Sequence, residues 1–487
     1  MHDDFEACYR AILSRDARFD GRFFTAVTST GIYCRPICPA QTPKRANVRF
    51  YASASAAAAA GFRACLRCKP HLAPGPPHLA GDRLAGSALR LIASGAADGG
   101  SGVSGVAHRL GVSQRHLHRV LNDAVGAGPL ALAQMRRLQT ARTLIEQTAL
   151  SITEIAFSAG YSSLRQFNSE VRSGTGRAPT ELRRRRSVQH DGEGAVVLRL
   201  RPRPPFDAAG LLGFFAARAV HGVERCTDSA LTRSLSLDHG AAVVELEPQD
   251  GQLIVRLWPE DVRDIGAAVE RCRRLFDVDA DPGAIATVLS ADSLLAPLLA
   301  ARPGLRVPGA VDASEIAIRA VLGQQVSVAR ATGLASRLAE QSGAPLAQPR
   351  GGVTRLFPSA AAVADADLAG LGLTRGRAAT LRRLAIALAT GAIDLGLEAD
   401  PQEAIAKLLA LHGVGPWTAT YIAMRALRDP DAFPATDLGL RRAYAHAGGD
   451  ERSLVARAEH WRPWRAYATV LLWQQLPHPA PITETRQ

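Results

Sequence analysis

The chain has 487 residues, 47% of them hydrophobic, with 58 Lys and Arg against 45 Asp and Glu for a formal charge of +13. That length holds three or four domains; no apolar run approaches the roughly 20 residues of a membrane helix, and the acidic opening Met1-His2-Asp3-Asp4-Phe5-Glu6 is unlike a secretion signal, so a cytoplasmic protein is expected. Residues 1–190 carry 26 Lys and Arg against 12 Asp and Glu, a net +14, whereas 191–487 carry 32 against 33, a net −1, so the first part has the electrostatic footprint of a nucleic-acid binder.

Two close cysteine pairs come first along the chain: Cys34-x3-Cys38, then, after 26 residues, Cys65-x2-Cys68. Each short spacing lets two thiolates reach one ion from a single turn, which reads as a tetrahedral zinc site. The competing reading, two structural disulfides, needs an oxidising compartment. Cys8, Cys226 and Cys272 read as ordinary small buried residues. Zinc keeps its sulfurs as thiolates and so supplies a nucleophile at neutral pH. Four thiolates leave the site at about −2, and alkylating one brings it to about −1, which lowers its repulsion of DNA phosphate. Ala56–Ala60 favours helix, and the stretch Pro70–Pro77 closes the unit.

The residues around the cysteines, Thr30-Gly31-Ile32-Tyr33-Cys34-Arg35-Pro36, Asn47-Val48-Arg49-Phe50-Tyr51 and Gly61-Phe62-Arg63-Ala64-Cys65-Leu66-Arg67-Cys68, resemble the N-terminal domain of Ada-type adaptive-response proteins. The resemblance covers about the first 75 residues, here residues 1–78. It implies that Cys34 accepts a methyl group from a DNA methylphosphotriester.

A weak repeat follows in residues 82–186: Val106-Ala107-x3-Gly111 and Ile155-Ala156-x3-Gly160 recur 49 residues apart. Each has an apolar and a small residue on a first helix, a glycine at the turn and a polar second helix, the pattern of a helix-turn-helix. Leu130, Met135, Leu138, Ala141, Leu144 and Ile145 predict an amphipathic helix between them. In tandem, with Ser151–Tyr161 in the second copy, the motifs resemble an AraC-type DNA-binding domain. Gln114, Arg115, His116 and Arg119 on one recognition helix, and Ser163, Arg165, Gln166 and Asn168 on the other, can meet base edges or form a solvated face. Arg183–Arg186 and the linker 187–195 end the basic part.

In the rest of the chain, Leu411-His412-Gly413-Val414-Gly415-Pro416-Trp417 reads as a helix-hairpin-helix, and Asp437 follows twenty residues after Trp417. Gly413 and Gly415 let backbone amides approach a DNA phosphate. With the aspartate, the hairpin resembles the helix-hairpin-helix DNA glycosylases. Pro204-Pro205-Phe206-Asp207, Leu211–Val220, Ala301–Arg306 and Arg319–Val328 resemble the AlkA-type 3-methyladenine DNA glycosylases. That resemblance implies an α/β unit at 196–300 and an all-α glycosylase unit at 301–487. It implies Asp437 as the carboxylate that stabilises positive charge on the deoxyribose; the structural alternative is a helix N-terminal residue after Pro434, with Thr436 beside it as the cap. It implies Trp417, Tyr421 and Trp473 as rings on which a flipped cationic base stacks, with Gln324 lining the pocket. Gln325 stands where the family has an apolar wedge. Tryptophan rather than lysine at 417 points to a monofunctional enzyme using water. The Pro-Cys-His-Arg motif of a second Ada-type methyltransferase is missing from the sequence.

The expected fold is multidomain and mainly α with α/β parts: a small four-cysteine zinc domain, a tandem helix-turn-helix, an α/β domain and a helix-hairpin-helix domain. The expected function is repair of alkylation damage by a glycosylase fused to a zinc sensor and regulator; the alternative is a regulator with an inactive glycosylase-like region. Expected partners are double-stranded DNA and, for a regulator, RNA polymerase, at the nucleoid.

Overall fold

The computed structural model describes residues 4–70, 83–98, 101–184, 194–396 and 399–476. The proline stretch after Pro70 and the expected linker from 187 to 193 lie outside the described residues.

The first sheet has strands β1 (Phe24–Val27), β2 (Ile32–Cys34), β3 (Val48–Tyr51) and β4 (Arg63–Ala64) in the order β3-β1-β2-β4. β1 and β2 form an antiparallel hairpin, whereas β4 runs parallel to β2 with Tyr33 opposite Ala64. Parallel pairing makes both strands leave the sheet at the same end, so Cys34 and Cys65, the next residues on each, emerge side by side. The alanine run forms the helix Ala54–Ala59 across this sheet, N-capped by Ser53.

Both helix-turn-helix units form. The first pairs Gly102–Arg109 with Gln114–Val125, the second Ile152–Ser158 with Leu164–Thr175, and Pro129–Gln147 connects them. Gly111 and Gly160 sit at the two turns with φ of +65° and +90°, where a side chain would be strained. Val106, Ala107, Ile155 and Ala156, the repeat's apolar and small residues, are all buried. Leu130 departs from expectation: it is 58% exposed, although Pro129 before it and Ala133 one turn on are buried, so it lies on the solvent side of the first turn.

The second sheet, β5 (Val196–Leu200), β6 (Glu224–Cys226), β7 (Leu231–Ser236), β8 (Ala241–Gln249) and β9 (Gln252–Pro259), has the order β5-β9-β8-β7-β6 and is antiparallel throughout. Beyond it the described chain is helical apart from one hairpin, β10 (Pro345–Arg350) and β11 (Val353–Arg355). Leu346 and Val353 of this hairpin pack on Val243 of the sheet, burying apolar residues that a wholly helical unit would leave uncovered. One core joins the connecting helix (Leu138, Ile145) and the second helix-turn-helix (Ile155, Phe167) to the sheet (Leu198, Leu200, Val244, Val255). The change in charge near residue 190 is therefore not a boundary in packing.

Candidate active site and metal centre

The hairpin Leu411–Gly415 joins the helices Pro401–Ala410 and Pro416–Arg425. Gly413 has φ +93°, and a Cβ there would lie 2.0 Å from Thr380 Oγ1, so the position requires glycine. Three groups brace the turn from outside: Thr380 Oγ1 and Arg383 Nη2 donate to His412 O at 3.2 and 3.0 Å, and Gln324 Nε2 donates to Gly413 O at 3.0 Å. Gly415 is the N-cap of Pro416–Arg425 and brings no capping side chain, which leaves the first helical amides open to an anion.

Asp437, and not Thr436, caps the helix Leu438–His446; its Oδ1 accepts from Leu440 N at 2.5 Å. Its carboxylate also takes two indole N–H groups, Trp417 Nε1 to Oδ2 at 2.6 Å and Trp473 Nε1 to Oδ1 at 2.9 Å. Trp417 stacks on Tyr421 with centroids 5.3 Å apart and planes 15° apart, and Tyr421 meets Trp473 at 6.3 Å. These four residues share the wall of a cavity of about 640 Å³ with Phe214, Arg218 and Arg306.

Beneath Tyr421 lies a charged layer that sequence reasoning missed. Arg425, one turn on, donates to Tyr421 Oη at 2.7 Å and to Pro308 O and Gly309 O. Arg319 and Arg233 share the buried carboxylates of Glu224 and Glu315 at 2.7–3.1 Å. Burial opposes ionisation of the Tyr421 phenol, but the guanidiniums of Arg425, Arg218 and Arg319 outweigh it and hold the phenol below its usual value. Arg218 and Arg319 lie within the AlkA-like motifs, but nothing in a linear pattern tells a buried cation from a surface one.

Gln324 is not on the cavity wall: its side-chain amide N–H groups go to Gly413 O and to Thr418 Oγ1 at 2.9 Å, and Arg377 donates to its backbone carbonyl. Gln325 beside it is exposed, with φ +55°. Gln114, Arg115 and Arg119 are exposed on one recognition helix, and His116 Nδ1 lies 3.0 Å from Arg119 Nη2. On the other, Arg165 and Asn168 are exposed, Gln166 bonds Ser162 and Glu170, and Ser163 is the N-cap, its hydroxyl accepting from Gln166 N.

The ligand atoms of Cys34, Cys38, Cys65 and Cys68 all lie within 4.8 Å of one another. Four soft donors at that separation fit tetrahedral zinc, whose sulfurs stand about 2.3 Å from the ion. Contact with Cys38, then Cys65 and Cys68, pushes the Cys34 thiol up, while contact with Cys34 holds Cys38 and Cys65 down; a cation among them would let all four stand as thiolates. Arg35 N donates to Cys68 Sγ at 3.4 Å, and the Arg35 side chain is buried against Asp20. A cavity of about 800 Å³ opens onto Cys34, Cys38 and Cys65, with Lys44, Arg63, Arg67 and Arg177 around it. Cys8 and Cys272 are buried as expected; Cys226 is only partly so, at the end of its short strand.

Four family models match in order: the metal binding domain of Ada over residues 7–71, a helix-turn-helix domain over 106–185, the AlkA N-terminal domain over 197–312, and the HhH-GPD superfamily of base excision DNA repair proteins over 318–465. The chain is 48% identical over 487 residues to a probable bifunctional transcriptional activator/DNA repair enzyme AlkA of Mycobacterium tuberculosis, covering 98% of each. It is 35% identical over 274 residues to the DNA-3-methyladenine glycosylase 2 of Escherichia coli, covering 56% of this chain and 94% of that one. A solved 3-methyladenine DNA glycosylase from Archaeoglobus fulgidus shares the fold over 57% of this chain and 97% of that one, with TM-score 0.50 and 22% identity.

Proposed function

Because the chain belongs to the family of bifunctional transcriptional activator/DNA repair enzymes of the AlkA type, we propose that it removes alkylated bases such as 3-methyladenine from double-stranded DNA by hydrolysing the N-glycosidic bond. The observation that carries this is the Asp437 carboxylate, fixed by two indoles and a helix N-terminus on the wall of an aromatic cavity. As the base departs with the bonding electrons, positive charge grows on the sugar, and a fixed carboxylate stabilises it without having to reorganise. Tyr421, with Trp417 and Trp473 on either side, offers π-faces to a flipped cationic base. Gly413 and Gly415 let the backbone come close to a DNA phosphate, which the first free amides of the helix Pro416–Arg425, those after its opening proline, meet beside the cavity. Among the described residues no lysine lines this cavity, which supports attack by water rather than a Schiff base.

In the first part of the chain Cys34, Cys38, Cys65 and Cys68 hold Zn2+, which keeps the sulfurs as thiolates. Cys34 Sγ takes a methyl group from a methylphosphotriester: the S–C bond forms as the C–O bond breaks, and the phosphodiester leaves as an anion. The cationic residues around that cavity suit a DNA backbone. The helices Gln114–Val125 and Leu164–Thr175 read operator DNA for a regulator working with RNA polymerase at the cytoplasmic nucleoid. No helix among the described residues is long and apolar enough to cross a membrane.

The test is release of free 3-methyladenine from methylated duplex DNA by the purified chain. Asp437→Asn should lower the rate by roughly 100- to 1000-fold while DNA binding persists; full release by that variant would sink the assignment.

A further inference from the structure

The helix Pro129–Gln147 of the DNA-reading unit is seated in the metal-binding unit. Its Met135 completes the small core of Phe24, Ala26, Tyr33, Ala54, Ala57 and Ala64, with Tyr33 Oη 3.7 Å from its sulfur. At its far end Glu146 pairs with Lys69, the residue after Cys68, at 2.7 Å. Between them on the same stripe lies Arg142, which is only 1% exposed. All three of its guanidinium nitrogens lack a hydrogen-bond partner, and the nearest carboxylate oxygen, that of Glu146, is 3.6 Å away on a group already paired with Lys69. Burying a cation without hydrogen bonds is among the costliest arrangements in a protein, so a compensating charge is required. Met135 touches Tyr33, the residue before Cys34, and Glu146 pairs with Lys69, the residue after Cys68, so the stripe that carries Arg142 runs alongside the four clustered thiols.

We propose that Arg142 is the counter-ion of the metal–thiolate cluster, supplied by the DNA-reading unit, so that metal binding clamps the helix Pro129–Gln147 onto the sensor. The inference rests on the reading of the four cysteines as a zinc site. A dication with four thiolates has an excess charge of about −2, and Arg142 offsets half of it from the side of Cys68. The same excess charge compensates the burial of Arg142, so each group makes the other tolerable.

The test uses the full zinc-loaded chain and a chromophoric chelator. Arg142→Met, which keeps the length of the side chain and removes its charge, should weaken zinc binding roughly 10- to 100-fold, the range for outer-shell partners of a metal. Arg142→Lys should recover most of that loss. After zinc is stripped the order should invert: Arg142→Met should unfold at a higher temperature than the wild type, because it no longer buries a cation whose one carboxylate partner, Glu146, is shared with Lys69. A merely structural role would instead destabilise the loaded and stripped forms alike, and that result, or an unchanged zinc affinity, overturns the proposal. Should Arg142→Met fail to fold, hydrogen exchange on the wild type decides: stripping zinc should deprotect residues 135–147, and their staying protected overturns the clamp. A wild-type chain that takes up no zinc refutes the zinc reading itself, and this inference with it.

Discussion

Replacing Trp417 or Trp473 by phenylalanine separates two roles that one indole can play in the excision cavity. Phenylalanine keeps an aromatic face for a stacked base but has no N–H, so only the bond to Asp437 is lost. Those bonds are 2.6 Å for Trp417 and 2.9 Å for Trp473, and a hydrogen bond to a charged group contributes about 1.5–3 kcal/mol. At about 1.36 kcal/mol for each tenfold in rate, losing one costs at most roughly 10- to 150-fold, less whatever a water recovers. Trp417→Phe, which gives up the shorter bond, should be the slower variant. Single-turnover release of 3-methyladenine at saturating enzyme reads the chemical step, and anisotropy with a labelled duplex reads binding. The rate should fall while affinity changes by no more than a few-fold. In the Asp437→Asn background the tryptophan substitutions should cost little more, since two groups acting as one unit are not additive. If Trp417→Phe stays within about twofold of wild type in rate, the indole nitrogen does not position the carboxylate; if affinity falls and the rate holds, the ring serves the base alone.

Three further outcomes are expected. About one zinc per chain should be lost in Cys38→Ala, Cys65→Ala and Cys68→Ala, read by metal analysis, since a structural tetrathiolate site is rarely kept by three ligands. Incubation with methylated DNA should add a single methyl to the peptide bearing Cys34, by mass spectrometry. Cys226 and Cys272 should stay unmodified, and inert to iodoacetamide near pH 8, because burial pushes both thiols up to about 12 and almost no thiolate exists below about pH 10. A chain begun near Ala195 should retain the excision cavity and nick no DNA, yet unfold at a lower temperature than the full chain. It loses the helix against which β5 packs, where Gln147 Oε1 accepts from Arg199 N at 2.8 Å; an unchanged melting temperature would show that this contact carries no stability.

The parts of the chain legible in sequence are those set by short-range chemistry. Glycines 111, 160 and 413 mark turns because only glycine takes those backbone angles cheaply, and the cysteine spacings mark a cluster because a turn has a fixed reach. Asp437 is visible through its distance from the hairpin, but its three hydrogen bonds are not, since Trp473 lies 36 residues further along and returns only through the fold. Gln324 misleads for the same reason: an amide next to a pocket reads as a ligand until its partners Gly413 and Thr418 are in view. Ser163 has a role that one dimension does not show: it is exposed and also N-caps the helix Leu164–Thr175. The arginine layer under Tyr421 has no linear signal at all, because sequence gives the number of cations and not their burial.

The helix Pro129–Gln147 shows why charge and composition set boundaries that packing ignores. At about 100° per residue, Met135, Arg142 and Glu146 fall on one stripe, which faces the metal-binding unit. Leu138, Ala141 and Ile145 fall on a second, inside the core shared by the second helix-turn-helix and the sheet. Ala133 lies on a third, in the core of the first helix-turn-helix. A helix buried on several faces has no single apolar stripe, so it reads in sequence as a modest connector. In the folded chain it enters the cores of the sensor, of both DNA-reading units and of the sheet ahead of the glycosylase. Any change in how the sensor grips Met135 and Arg142 therefore acts on the element that spaces the two recognition helices. The path from the metal to the DNA-reading surface is one helix of 19 residues, about 28 Å long at 1.5 Å per residue, and it needs no flexible linker to carry a displacement from one end to the other.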